Sequence, residues 1–270
     1  MTDAVVGRLT AILALALALC APALRVHAQN PSAADPLVRG GGSSDLPSRK
    51  WEILDNSFLV EEAFNQEAGV VQNIFTWTRG RDGAWGGTFT QEWPAPGMAH
   101  QLSYTLPFSG TGRASGIGDV LLNYRYQLRE EDARGPAVSP RLSVILPTGR
   151  EADGLGSGAA GLQFLVPASR QFGNLYVHAN AGYTWLPDVQ RTTLVAGSAI
   201  WRASPMFNLM LEAVAAFGES TTVSPGFRRG WNVGAHQLVI GAAVPVTRAY
   251  GRSTAALLTY FSYELPFRTP

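Results

Sequence analysis

Polar and apolar side chains alternate along most of the chain after residue 70. In residues 118–129 (GDVLLNYRYQLR), apolar residues from Val120 to Leu128 take every second position, and polar residues take the others except at Leu121. This period of two is typical of a β-strand whose two faces meet different surroundings. The same alternation recurs in residues 101–108, 141–146, 175–185, 207–212 and 261–267.

Turn-forming residues divide this part of the chain into about twelve strands. The predicted strands are 70–79, 84–93, 98–108, 117–129, 137–147, 159–169, 172–186, 191–203, 206–217, 223–231, 236–246 and 255–267. An even number of strands of about ten residues is what a bacterial outer-membrane barrel requires. No run of about eighteen apolar residues predicts a transmembrane helix. The sequence therefore predicts an all-β fold, a transmembrane antiparallel up-and-down β-barrel of the outer-membrane type over residues 70–270.

The predicted connections form two sets, as expected when one rim of a barrel carries short turns and the other carries longer loops. The short set is 94–97, 170–171, 204–205 and 232–234. The long, glycine-rich set is 109–116, 148–158 and 247–253. Residues 130–136 are an exception, because they are longer than a connection on the short-turn rim requires.

Tryptophan placement supports the membrane interpretation. Six of the seven tryptophans lie within about two residues of a predicted strand end, namely Trp77, Trp85, Trp93, Trp185, Trp201 and Trp231. An indole ring prefers the headgroup level of a bilayer, so we predict that these six form aromatic girdles. The alternative is that they cap the core of a soluble β-sandwich, although soluble cores more often hold tryptophan in mid-strand.

The N-terminal region predicts export. An apolar run over residues 9–21 follows Arg8, and Val26-His27-Ala28 supplies a small-residue cleavage site. These features predict a cleaved signal peptide over residues 1–28, with an uncleaved anchor as the alternative. Residues 29–50, rich in Pro, Gly, Ser and Asp, are predicted to form a flexible tether, and residues 51–69 a segment at the periplasmic side of the barrel or tucked inside it.

Composition excludes several classes of protein. A single cysteine rules out a disulfide within the chain and any cysteine-rich zinc site. The formal net charge of +1 argues against nucleic acid as the main partner. With 46% hydrophobic and 15% charged residues, the chain is too apolar for disorder. Because the apolar residues alternate with polar ones, we expect most of them to face lipid.

Several blocks of sequence, in order along the chain, resemble one family. They are VEEAFNQEAGVVQNI (60–74), FTQEWP (89–94), HQLSYTLP (100–107), GIGDVLLNYRYQL (116–128), PRLSVILPTG (140–149), VSPGFR (223–228), QLVIGAAVP (237–245) and the closing residues 260–267. Together they resemble the meta-pathway phenol degradation family of outer-membrane proteins. The resemblance implies an outer-membrane β-barrel, sometimes encoded with enzymes of aromatic degradation, with a transport role. Phe267 is followed by Arg268-Thr269-Pro270, which displaces the terminal aromatic residue usual in barrel families.

The sequence contains no recognisable catalytic motif, and we predict a protein that is not an enzyme and has no cofactor or metal. There is no Gly-x-Ser-x-Gly, His-Glu-x-x-His or Walker sequence, and the glycine-rich residues 154–161 are interpreted as a loop. The histidines have unrelated spacings. His178 and Asn180 share one strand face, so a lipid-modifying barrel enzyme with a serine on a neighbouring strand is a third hypothesis.

Polar residues on the face opposite the apolar one are candidates for lining the lumen. They are Asp119, Asn123, Arg125, Gln127, Arg129, Arg141, Gln163, His178, Asn180 and Glu212. The N-terminal motif Glu61, Glu62, Asn65, Gln66 and Glu67 precedes the first strand. Adjacent carboxylates on an extended segment point to opposite sides, so Glu61 and Glu62 cannot form an acid–base pair. We predict instead that one of them meets arginines of the lumen.

The leading hypothesis is a passive channel for small solutes, since twelve strands enclose more space than a filled eight-stranded barrel. Aromatic solutes enter this hypothesis only through the family resemblance. The alternative is a filled barrel with a structural role in the envelope and no transport. The partners expected are outer-membrane lipid, the barrel-insertion machinery and an unidentified small solute, with no nucleic acid.

Overall fold

The computed structural model describes residues 53, 55–110, 112, 114–234 and 236–267. The predicted signal peptide, the tether and the last three residues lie outside the described residues. No helix in the described part of the chain is long and apolar enough to cross a membrane. The strands are β1 (Val70–Gly80), β2 (Trp85–Pro94), β3 (His100–Gly110), β4 (Ser115–Ile117), β5 (Val120–Tyr126), β6 (Ala137–Val138), β7 (Arg141–Leu146), β8 (Gly161–Phe172), β9 (Leu175–Leu186), β10 (Gln190–Ser204), β11 (Phe207–Ala216), β12 (Ser220–Val233), β13 (His236–Ala243), β14 (Val246–Ala249) and β15 (Arg252–Pro266). A single turn of 3-10 helix, η1 (Glu151–Asp153), interrupts the strands.

The strands form one closed antiparallel sheet. Each pairs with its neighbour along the chain, and β1 pairs with β15 from Val70↔Pro266 to Gly80↔Ala256. Three pairs of elements, β4 with β5, β6 with β7 and β13 with β14, are successive parts of one strand of the wall. Twelve strands therefore surround the lumen, and the prediction of an antiparallel barrel is confirmed.

The two faces of the wall differ in polarity as the alternation predicts. Along β5, Leu122 is 48% exposed on the outside, whereas its neighbour Asn123 is 4% exposed on the inside. An exposed apolar outer face over strands of this length suits the hydrocarbon layer of a bilayer. Of the six tryptophans, Trp77, Trp85 and Trp185 lie near one rim, and Trp93, Trp201 and Trp231 lie near the other.

We call the rim where β1 begins and β15 ends the N-terminal rim. The connection 127–136 is long on this rim, and the connection 147–160 is long on the opposite rim. The predicted bounds of two loops are wrong. β3 and β4 extend into the predicted loop 109–116. In place of the predicted loop 247–253, a two-residue turn of Tyr250 and Gly251 joins β14 to β15. Both turn residues have positive φ, 49° and 79°. The predicted turn 170–171 is also wrong, since β8 continues to Phe172 and Gly173 makes the turn at φ 59°.

An apolar core lies inside the barrel. Its buried members are Ile53, Phe58, Ile74, Ile200, Met206, Met210, Val239, Ala243, Leu258 and Tyr260. The ring of Phe58 packs against the ring of Tyr260, with 4.8 Å between centroids. Glycine at 241 makes room for it, since a Cβ there would lie 2.3 Å from the Phe58 ring. This side of the lumen is therefore filled by residues that precede the first strand.

Candidate functional site

The N-terminal segment of residues 55–67, which we call the lumen segment, runs inside the barrel. It begins at Asp55, whose carboxylate accepts hydrogen bonds from Gln72 of β1 (2.7 Å) and from Tyr260 (2.6 Å) and Ser262 of β15. Two strands away along the wall, the Arg228 guanidinium of β12 donates to the carbonyls of Asp55 (2.8 Å) and Asn56 (2.6 Å). Because partners on β1, β15 and β12 hold this end, its position is fixed on one side of the barrel.

Polar side chains on the facing strands then bind the main chain of the lumen segment. The Glu212 carboxylate of β11 accepts from the backbone N–H groups of Leu59 (2.8 Å) and Val60 (3.2 Å). The amide of Asn180 on β9 pairs with the backbone of Glu61 in both directions, each bond 2.8 Å long. Backbone groups buried away from water need such partners, and in this lumen side chains supply them.

His178 takes part in this anchoring through Ser169. The Ser169 hydroxyl of β8 accepts from the backbone N–H of Ala63 at 2.7 Å and lies 2.7 Å from Nδ1 of His178. A serine does stand beside His178 and Asn180 on a neighbouring strand, as the enzyme hypothesis requires. All three side chains are buried, however, and Ser169 and Asn180 form hydrogen bonds to the main chain of the lumen segment.

Arg125 fixes the last part of the lumen segment. Its guanidinium donates to the carbonyls of Glu62 (3.1 Å) and Phe64 (2.6 Å) and to the side chain of Asn65 (3.1 Å). Gln127 bonds the backbone of Ala63 and Asn65, and Gln101 of β3 accepts from the N–H of Gln66 at 2.7 Å. The segment thus follows the inner face of the wall, from β15, β1 and β12 past β11, β9 and β8 to β5 and β3.

An ion pair lies where the lumen segment faces the opposite rim. A carboxylate oxygen of Glu61 lies 2.8 Å from Nη1 of Arg141, and the other lies 3.9 Å from Arg125. Arg141 also donates to Gln163 at 2.6 Å, and Gln163 donates to Thr184 at 3.0 Å. The Glu61 side chain is 27% exposed, so water reaches this ion pair.

The mouth at the opposite rim is lined by hydroxyl groups and carboxylates. Threonines pair across strands, as in Thr76 with Thr88 (2.8 Å) and Thr222 with Thr247 (2.8 Å). Hydrogen bonds from Thr192 and Gln190 hold the pKa of Glu219, in the turn before β12, below its usual value. This carboxylate is therefore ionised at neutral pH and adds a negative charge to the mouth.

The structure places most of the predicted lumen residues inside the barrel, around the lumen segment. Asp119 instead holds the connection 147–160, since its carboxylate accepts from the N–H groups of Gly149 (3.0 Å) and Ser157 (2.7 Å). The prediction is wrong for Arg129, which lies beyond the end of β5 and pairs with Asp132 at the surface (2.6 Å). The strand ends before residue 129 because Pro136 and Pro140 lie in the chain that returns beside it.

Sequence reasoning missed many of the residues that bind the lumen segment. They are Asp55, Asn56, Gln72, Gln101, Ser169, Ser198, Arg228, Tyr260 and Ser262. The inward parity was readable for Arg228 and Ser262, but nothing in the local sequence indicates that they contact Asp55, 173 and 207 positions away. Among the described residues, no group of three or more His, Cys, Asp or Glu could hold a metal ion.

Comparison with known protein families matches this chain to one of them. A model of the protein family described as “Putative MetA-pathway of phenol degradation” matches residues 53–204, more than half of the chain. The chain belongs to this family. The match includes the lumen segment and every strand from β1 to β10, so the resemblance of the sequence blocks to the phenol degradation family is confirmed. No curated protein matches the chain in sequence.

A solved structure shares the fold. An outer membrane channel from Pseudomonas putida F1 superposes with a TM-score of 0.59 at 11% identity, covering 75% of this chain and 98% of that one. The KdgM porin gives a TM-score of 0.49 at 10% identity, over 74% of this chain and 99% of that one. At such low identity, the likeness to the Pseudomonas channel shows a common barrel fold. This phenol degradation family member therefore has the fold of an outer-membrane channel.

Replacement of Arg125 by alanine is expected to loosen the lumen segment and increase current fluctuations in planar bilayers. The change removes four hydrogen bonds, three of them to the lumen segment and one to Gln101. Hydrogen bonds from a charged group contribute about 1.5–3 kcal/mol each, so the end of the segment at Phe64 loses its main anchor. Arg129→Ala is the matched control, because Arg129 pairs only at the surface. Equal noise in both variants would contradict this role of Arg125.

Proposed function

We propose that the protein is a passive outer-membrane channel for small solutes, and that the lumen segment sets its width. The observation that carries this proposal is the division of the lumen into two halves. Near the N-terminal rim, inward-facing side chains such as Ser198, Glu212 and Asn180 are buried by the lumen segment. Toward the opposite rim, inward-facing residues such as Thr90, Gln163 and Thr184 are partly exposed to solvent. A wet mouth that narrows to one constriction is the form of a channel.

The chemistry of the constriction supports small polar solutes. Charges of both signs face each other there, Glu61 against Arg125 and Arg141, so neither sign of solute is strongly favoured. The apolar part of the lumen is occupied by Phe58 and is not open to a solute. Aromatic compounds come into the proposal only through the description of the family, and they would need to enter as polar derivatives.

A filled structural barrel is the alternative, and the apolar core around Phe58 is the observation that favours it. A barrel of that kind needs its interior only for packing. The partly exposed side chains between the lumen segment and the opposite rim do not fit this role, because a barrel selected for packing would cover them. Conduction separates the two functions.

Purified protein in planar bilayers is expected to give small, steady openings, with weak selectivity between K⁺ and Cl⁻. The narrow bore follows from the lumen segment, and the weak selectivity follows from the paired charges. Protein that runs as a compact, heat-modifiable band but gives no openings would support the structural barrel instead. Boiled protein, which has lost the barrel, is the control.

A further inference from the structure

One row of inward-facing residues runs through the barrel and is polar at every position. Strand register pairs each of them with the next, from β12 to β10 through the closure at β15 and β1, except that Gln237 and Glu264 stand one position beyond the last pair of β13 and β15, Leu238↔Tyr263. The row is Asn232, Gln237, Glu264, Gln72, Glu92, Ser103, Asn123, Ser143, Gln163, Thr184 and Thr192. We call it the polar row.

The adjacent row has a different composition. Starting from Gly230 and Val239, it passes Ser262 and Ile74 and reaches Leu121, Ile145 and Leu186. Five of its eleven members are apolar, two are glycine, and Ser262, Thr90, Thr105 and Gln190 are polar. Inward-facing position alone therefore does not explain why all members of the polar row are polar.

The polar row connects the two mouths of the barrel. It begins at Asn232, beside the turn at Gly234 on the N-terminal rim, and ends at Thr192, two residues after β10 begins at the opposite rim. Rows of paired residues run across strands, and strands in a barrel are tilted to its axis, so such a row spirals along the lumen. Its members from Gln72 to Ser143 are buried, and its members Gln163 and Thr184, toward the opposite rim, are partly exposed.

Unpartnered polar atoms concentrate in the middle of this row. The side-chain amide of Asn123 donates to Ser103 at 3.1 Å, but its oxygen has no partner. The hydroxyl of the next member, Ser143, is fully buried and also lacks a partner. Two residues from Ser143 on the same strand face, Nε of Arg141 is a third buried atom without one. Buried polar groups without a partner are costly, and they point to a molecule that binds there.

We infer that Asn123, Ser143 and Arg141 form a binding site for a hydroxyl group, and that the polar row guides small neutral hydroxylated solutes through the channel. This inference rests on the proposed channel function. A hydroxyl group donates one hydrogen bond and accepts others, which matches the Asn123 oxygen as acceptor and the Arg141 Nε–H as donor. Ser143 can take either role.

Charge at the site favours a neutral solute. Glu61 already pairs with Arg141, which weakens the attraction of that guanidinium for an anion. Glu61 also lies 3.9 Å from Arg125, so the charges of both arginines are partly offset. The site is also within reach of the wet mouth, because its next neighbours on the row, Gln163 and Thr184, are partly exposed.

Proteoliposome swelling tests the inference with two solutes of similar size, erythritol, which has four hydroxyl groups, and glycine betaine, which has none. Wild-type protein is expected to admit erythritol faster. The double variant Asn123→Leu, Ser143→Ala is expected to slow erythritol entry about fivefold, as the loss of one to two hydrogen bonds implies, and to leave betaine entry unchanged. Thr222→Val, an inward-facing change off the row, is the matched control and should leave both rates as in wild type.

The outcomes separate this inference from the proposed function. Equal rates for erythritol in wild type and the double variant, with channel openings present, would overturn the hydroxyl site and leave the channel standing. If wild-type protein gave neither swelling nor openings, the channel itself would be overturned, and the inference with it. Ser143→Ala alone removes a hydroxyl that has no partner in the protein, so this single variant is expected to fold and still to slow erythritol.

Discussion

Deletion of residues 55–66 is expected to raise the single-channel conductance severalfold and to shift ion selectivity toward anions. The deleted residues contact the inner face of strands around most of the barrel, including β15, β11, β8 and β3, so their removal opens the half of the barrel next to the N-terminal rim. They include the carboxylates Asp55, Glu61 and Glu62 and no basic residue. The lumen arginines that faced these carboxylates would then act on anions in the channel.

Two measurements check this expectation. Current amplitude at fixed voltage reports the opening of the lumen, and the reversal potential in a KCl gradient reports the change in selectivity. A deletion of equal length at residues 35–46, outside the described part of the chain, is the control. Because the wall of the barrel is closed by the β1–β15 pairing and not by the lumen segment, the deletion variant is expected to keep its heat-modifiable mobility.

Two results would contradict the role given to the lumen segment. Unchanged conductance in a folded deletion variant would mean that residues 55–66 do not limit the current. A larger conductance with unchanged selectivity would mean that the carboxylates of the segment do not offset the lumen arginines.

The alternation of the sequence predicts the wall of the barrel because the residues of a single strand show which of its two faces meets lipid. In β5 the apolar residues stand outward and Asn123 and Arg125 stand inward, and the reading needs no other part of the chain. In β10 this signal is absent. Ser198 and Ile200 point inward, and Ala199 and Trp201 point outward. Both faces of the strand therefore contain apolar residues, and the sequence does not show which face is the inner one.

The lumen segment explains why such positions escape sequence reasoning. Ile200, Met210 and Leu258 are apolar on the inner face because an apolar part of the same chain, around Phe58, packs against them. Ser169 and Ser198 are polar on that face because a backbone N–H and a hydroxyl of the segment need partners. Both requirements come from residues more than a hundred positions away, which a local pattern cannot show. The polar row likewise depends on strand register, and register becomes visible only when the barrel is closed.

Replacement of Arg228 by leucine is expected to destabilise the folded barrel by about 3–5 kcal/mol, the usual cost of leaving buried charges without a partner. Arg228 is 3% exposed and donates to the carbonyls of Asp55 and Asn56. Its positive charge also acts on the buried carboxylates of Asp55 and Glu212. Leucine fills part of the volume but offers neither a donor nor a charge, so two carbonyls and two carboxylates lose their compensation together.

Urea unfolding in detergent micelles, followed by gel mobility without boiling, measures this loss. Arg229→Leu is the matched control, because Arg229 is the next residue, faces outward and contacts the ring of Trp231 at 5.6 Å. Since that contact lies on the outer face, the control is expected to change the midpoint by much less. The same unfolding midpoint for both variants would contradict the assignment of Arg228 as the charge that holds the start of the lumen segment.

A double variant distinguishes loss of charge compensation from loss of packing. Adding Asp55→Asn to Arg228→Leu removes one of the two carboxylates left uncompensated. The amide oxygen can still accept from Tyr260 and Gln72, and the amide N–H can donate to the hydroxyl of Ser262. If charge is the main cause, the double variant unfolds at a higher urea concentration than Arg228→Leu alone. If packing is the main cause, the second change adds its own cost and the midpoint falls further. Recovery in the double variant would therefore show that Arg228 stabilises the barrel through the carboxylates of its own lumen.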